Sequence, residues 1–150
     1  MARRQYPIKD DHSILALRQG VRTLALEAGF DRSASEELVI VASELASNIL
    51  KYAAPGSVEI VTEPGDANPS IRIVARDQGP AFRDIATALR DGYDGNGPID
   101  PAKILRRGGI GAGLGAVVRL TDSFELLEHT VGKEITVIRY VQRPRQRRQR

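Results

Sequence analysis

The chain has 150 residues, 41% of them apolar and none of them cysteine; this is one domain's worth of core, with no disulfide and no thiolate metal site. No apolar stretch approaches the ~20 residues of a membrane span, and the opening MARRQYPIKDD lacks the apolar centre of a signal peptide; the absence of cysteine fits a cytoplasmic protein, which is expected. The net charge of +3 falls to −2 once the five arginines of the last eight residues, RPRQRRQR, are set aside. A body at 1–142 is therefore expected, followed by an Arg-rich disordered tail at 143–150. The body is not basic and carries no recognition motif, which argues against nucleic acid as a partner.

In chain order, YPIK reads as a short edge strand. DDHSILALRQGVRTLALEAGF reads as an amphipathic helix: Ile14, Leu17, Val21, Leu24, Ala25 and Ala28 recur at helical spacing and Gly29 is a natural stop. Ser33 to Glu36, SASE, has the form of a capping box that opens a second helix, ended by Pro55–Gly56. SVEIVTE and IRIVARD alternate as two strands around the turn PGDANPS. FRDIATALRD reads as a short helix, followed by a Gly/Pro/Asp-rich segment, GYDGNGPIDPAKILRRGG. IGAGLGAVVRLT opens on glycines and continues as a helix, and DSFELLEH and EITVIRYV flank TVGK as a hairpin. The order predicts a two-layer α+β sandwich, with helices on one face of a mixed, mostly antiparallel sheet.

Three places carry chemistry. The second helix is apolar except for a narrow seam of Ser43, Glu44, Ser47, Asn48 and Lys51. Residues four apart lie about 40° apart around a helix, so Glu44 and Asn48 point the same way. A carboxylate there would accept a proton from a nucleophile, and a carboxamide oxygen would ligate Mg²⁺; a half-exposed structural helix would show the same pair. Next, the strand IRIVARD ends at Asp77, followed by Gly79 and Pro80. A carboxylate at a strand end would take a hydrogen bond from an exocyclic amine, or serve only the turn. Last, Gly108, Gly109, Gly111, Gly113 and Gly115 precede and enter a helix. That pattern suits a phosphate site, although no GK[ST] follows and no strand immediately precedes it.

The order of ELASN, DQGPA and GIGAGLG resembles the N, G1 and G2 boxes of the GHKL ATPase/kinase superfamily, with its Bergerat fold, over nearly the whole chain. ASELASNILKYA, VARDQGP, ALRDGY and GLGAVVRLTDSFEL resemble more narrowly the small RsbT-type serine/threonine kinases of bacterial partner-switching systems. The resemblance implies ATP and Mg²⁺ as cofactors, Glu44 as general base and Asn48 as the Mg²⁺ ligand. It implies Asp77, with Gly79 and Ala81, at the adenine. Gly109, Gly111, Gly113, Leu114 and Gly115 would wrap the phosphates, and Thr136 would stand near Asp77. DGYDGNGPIDPAKILRRGG would be the lid, with Arg106 and Arg107 beside the phosphates. The family's D-x-G-x-G ends here on Ala81, whose methyl group would crowd the nucleotide. The implied substrate is a STAS-domain antagonist of the RsbS or RsbR kind, and the implied second partner is a PP2C-type phosphatase like RsbU. An RsbW-type anti-sigma factor shares the same boxes and stays open as the alternative. The oligomeric state is open as well, a homodimer among the options.

Overall fold

The computed structural model describes residues 1–51, 55–65, 67–79, 93–94, 97–98 and 113–144. The predicted helix over 82–91, nearly all of the predicted lid, and residues 145–150 of the tail lie outside the described residues. So do Ala81, Gly109 and Gly111.

Strand β1 (Ala2–Ile8) is longer than the edge strand predicted from YPIK. Helix α1 (Asp11–Ala28) starts at Asp10, whose carboxylate accepts from the Ser13 backbone N–H at 2.8 Å. It stops at Gly29, where φ is +106°. Leu17, Val21, Leu24 and Ala25 are buried, as the spacing predicts. Replacing Asp10 by Ala removes a cap; thermal denaturation is expected to show a lower melting temperature.

Helix α2 (Arg32–Lys51) corrects the capping-box expectation. Asp31 is the cap: its Oδ1 accepts from Ala34 N at 2.8 Å. Asp31 begins the turn two residues earlier than Ser33 and leaves Glu36 free to reach sideways. Glu36 takes the Arg22 side chain of α1 at 2.7 and 3.2 Å. That hydrogen-bonded guanidinium holds the Glu36 carboxyl below its ordinary range. Among the described residues, no helix is long and apolar enough to cross a membrane.

Strands β2 (Gly56–Glu63), β3 (Ser70–Asp77), β6 (Ser123–Glu128) and β7 (Lys133–Tyr140) join β1 in one sheet, ordered β1-β2-β3-β7-β6. Two-residue strands β4 (Tyr93–Asp94) and β5 (Gly97–Pro98) pair separately, and helix α3 (Gly113–Arg119) precedes β6. All four pairings in the five-stranded sheet are antiparallel, in line with the mostly antiparallel sheet expected; no parallel pair of a mixed sheet occurs among the described strands. Between β1 and β2 the reason is simple: two consecutive helices run out and back, so β2 returns against β1.

One face of the sheet is covered by helices. Val58 and Ile60 of β2, Ile71 and Ile73 of β3, and Ile135 and Val137 of β7 meet Leu38, Leu45 and Ile49 of α2 in one core. On the other face, Arg3, Glu59, Arg76 and Glu134 form a chain of ion pairs at 3.7, 3.7 and 3.2 Å across four strands. Partly exposed surface pairs of this kind contribute little.

The predicted tail boundary moves. Arg143 Nε bonds Asp122 Oδ1 at 2.9 Å, and its NH2 nitrogen donates to the carbonyls of Arg119 and Thr121 at the end of α3. Asp122 Oδ2 accepts from Tyr140 N at 2.9 Å. Composition put Arg143 with the tail; its contacts place it with the folded body.

Candidate functional site

The site is built at one end of the helix-covered face of the sheet. Side chains alternate faces along a strand, so residues opposed in register across the sheet share a face. In the last inward-facing row, Gly56 of β2 stands opposite Asp77 of β3, and Asp77 opposite Lys133 of β7. Gly56 is needed there. A Cβ at that position would come within 2.6 Å of Ile49 Cγ2, 2.7 Å of the Arg76 carbonyl oxygen and 3.1 Å of Asp77 Cβ. The missing side chain lets the last turns of α2 settle onto the strand end that carries Asp77.

Glu44 is buried, 6% exposed, and Asn48 is half-buried one turn later on α2. The seam is therefore only partly open, and its carboxylate is the more enclosed member. Ser43 is not available to a ligand in the way the seam suggested: its hydroxyl donates to the Val39 carbonyl at 2.8 Å.

Asp77 has two functions in view. Its Oδ1 accepts from Gly79 N at 2.8 Å, the turn chemistry that Asp-x-Gly favours. The same oxygen faces Lys133 Nζ at 3.0 Å, in an ion pair whose side chains are 6% and 1% exposed. Oδ2 takes part in neither bond.

Thr136 does not stand beside Asp77. It is opposite Val74, three residues along β7 and on the other face of the sheet. The strand begins at Lys133, one residue earlier than the hairpin reading put it, and the register then assigns the place opposite Asp77 to Lys133. Sequence reasoning missed Lys133 by treating it as part of the turn. The available signal was Gly132, whose φ of +90° closes that turn and leaves Lys133 to start the strand.

Of the phosphate-loop candidates, Gly113, Leu114 and Gly115 are described, and all are buried at the start of α3. Gly113 has φ of +66°, which favours glycine. The α3 helix packs on α2, and its far end is held near the opposite end of the sheet. There the inward-facing Arg139 of β7 bonds Glu37 of α2 at 3.1 Å and the Leu120 carbonyl at 3.2 Å. One guanidinium thus ties α2, β7 and the end of α3 together.

The donor set fits a bound nucleotide and cation in kind. Asn48 offers an amide oxygen for a hard cation, beside the Glu44 carboxylate. Asp77 Oδ2 offers an acceptor for a base, and the glycine-rich start of α3 lets a backbone come close.

Residues 9–139 match the histidine kinase-like ATPase domain family. The chain is 34% identical over 135 residues to the serine/threonine-protein kinase RsbT of Bacillus subtilis (strain 168), covering 89% of this chain and 93% of that one. It also superposes on a chain of the SiaB–SiaC complex from Pseudomonas aeruginosa with a TM-score of 0.56. The coverage is 92% of this chain and 89% of the other, and the identity of 18% makes this a likeness of fold. The chain belongs to the histidine kinase-like ATPase family, whose fold is the α+β arrangement described above. Within that family it is an RsbT-like GHKL kinase.

Proposed function

We propose that the protein transfers the γ-phosphoryl group of ATP to a serine or threonine of a STAS-domain antagonist. Once released from that antagonist, it activates a PP2C-type phosphatase. The observation that carries this reading is the packing of the α2 end on the Asp77 strand end across Gly56, in a chain 34% identical to RsbT. The same identity favours the switch kinase over the anti-sigma reading.

In this mechanism Asp77 Oδ2 accepts the adenine amine. Asn48 holds Mg²⁺, which offsets phosphate charge when bound. The resemblance gives Gly109, Gly111, Gly113, Leu114 and Gly115 the role of wrapping the phosphates. Glu44 takes the proton of the substrate hydroxyl as its oxygen bonds to phosphorus and ADP leaves. The buried position of Glu44 suits a base shielded from bulk water.

Calorimetry with Mg-ATP tests the site. The parent is expected to bind, and Asp77→Asn to bind about 10- to 100-fold more weakly, the worth of a hydrogen bond to a charged group. The amide would weaken the ion pair between this position and Lys133, so the variant's thermal unfolding is recorded alongside. Equal affinity in a folded Asp77→Asn protein would remove Asp77 from the base site. Co-purification with a sigma factor in place of a STAS protein would move the assignment to the anti-sigma class.

A further inference from the structure

We propose that Lys133 is a positioning residue for base recognition: its ammonium holds the Asp77 carboxylate by Oδ1 and so presents Oδ2 to the 6-amino group of adenine. The inference rests on the reading of Asp77 as the base-binding carboxylate.

Three observations carry it. The first is place. Lys133 is the first residue of β7 and stands opposite Asp77, the last of β3, on the helix-covered face. Its backbone is held close by Gly132, where any Cβ would overlap the Asp77 carbonyl oxygen and lie 3.1 Å from Gln78 Cα. The second is geometry. A carboxylate rotates broadly about its last bond. Here Lys133 Nζ at 3.0 Å and Gly79 N at 2.8 Å both bond Oδ1. Two donors on one oxygen set the rotation and turn the other oxygen away from both.

The third is burial. The two side chains are 1% and 6% exposed. A buried ion pair contributes little net stability, because desolvation offsets the Coulombic attraction. The β3–β7 hydrogen-bond ladder already joins these strands over eight paired positions. What the lysine adds is a fixed acceptor. An ionised carboxylate only accepts hydrogen bonds, so Oδ2 favours a 6-amino purine, which donates there, over a 6-oxo purine, which presents an oxygen.

The test compares ADP with inosine diphosphate, which carries oxygen in place of the 6-amino group. Their affinities are measured by calorimetry on the full chain and on Lys133→Met. The parent is expected to prefer ADP by about tenfold or more. Lys133→Met is expected to bring that ratio below about threefold, mainly by weakening ADP. A lysine that merely joins two strands would, when replaced, lower both affinities together; an unchanged ratio overturns the proposal. Should Lys133→Met fail to fold, the parent protein labelled with ¹⁵N-lysine decides. The Lys133 Nζ signal is expected to move on adding ADP and to stay in place with tripolyphosphate, and a signal that ADP leaves unmoved overturns the proposal. Failure of a folded parent to bind ADP would remove the nucleotide reading and this inference together, whereas ADP binding with the ratio retained would remove this inference alone.

Discussion

Glu44→Gln is expected to slow phosphoryl transfer about 10²- to 10⁴-fold, the usual contribution of a positioned general base, with Mg-ATP affinity changed by no more than about threefold. Glu44 is 6% exposed, and glutamine keeps its shape while giving up the basic oxygen. The measurement is single-turnover transfer of labelled phosphate to a STAS-domain acceptor, beside calorimetry on the same preparation. Transfer at the parental rate would exclude Glu44 as the base. A variant that loses nucleotide affinity as well as transfer would instead make Glu44 part of the binding surface. Asn48→Ala is the natural contrast. One turn along the same helix, it is expected to weaken binding in the presence of Mg²⁺ and to matter much less without it.

The second large effect is on stability. Gly132→Ala is expected to cost about 2–4 kcal/mol and to lower the melting temperature by about 5–15 °C. Two terms add. The backbone φ of +90° disfavours any residue with a Cβ. That Cβ would also overlap the carbonyl oxygen of Asp77, a backbone atom held in the β3 ladder that has no easy way to move. Gly29→Ala separates the terms. It has φ of +106°, but its added Cβ would meet nothing within 4 Å, so only the conformational cost of about 1 kcal/mol is expected. Equal melting temperatures for the two variants would show that the contact with Asp77 carries no weight. Because Gly132 also sets Lys133 against Asp77, its substitution is expected to weaken ADP binding as well.

Much of the architecture is legible along the chain because it depends on short-range periodicity. The apolar repeat of α1 and its stop at Gly29 are local facts, and so are the alternation of β2 and β3 and the hairpin of β6 and β7. The motif order also led to the family, since E-x-x-x-N, D-x-G and a glycine run are spaced by chemistry and survive as text. Glu44, Asn48 and Asp77 were singled out on that ground.

Other features depend on contacts between distant residues. The cap of α2 is Asp31, because Glu36 is drawn to Arg22, 14 residues earlier in the chain. The first tail arginine, Arg143, belongs to the body because Asp122 and the end of α3 offer it partners. The partner of Asp77 is Lys133, 56 residues away. That pairing is a matter of strand register, where a shift of one residue turns a side chain to the opposite face. The sequence by itself determined α1, α2, the four long strands from β2 on and their order, since these follow from local spacing. Only the tertiary structure decided which charges meet, because an ion pair requires the chain to bring distant residues onto the same face of the sheet.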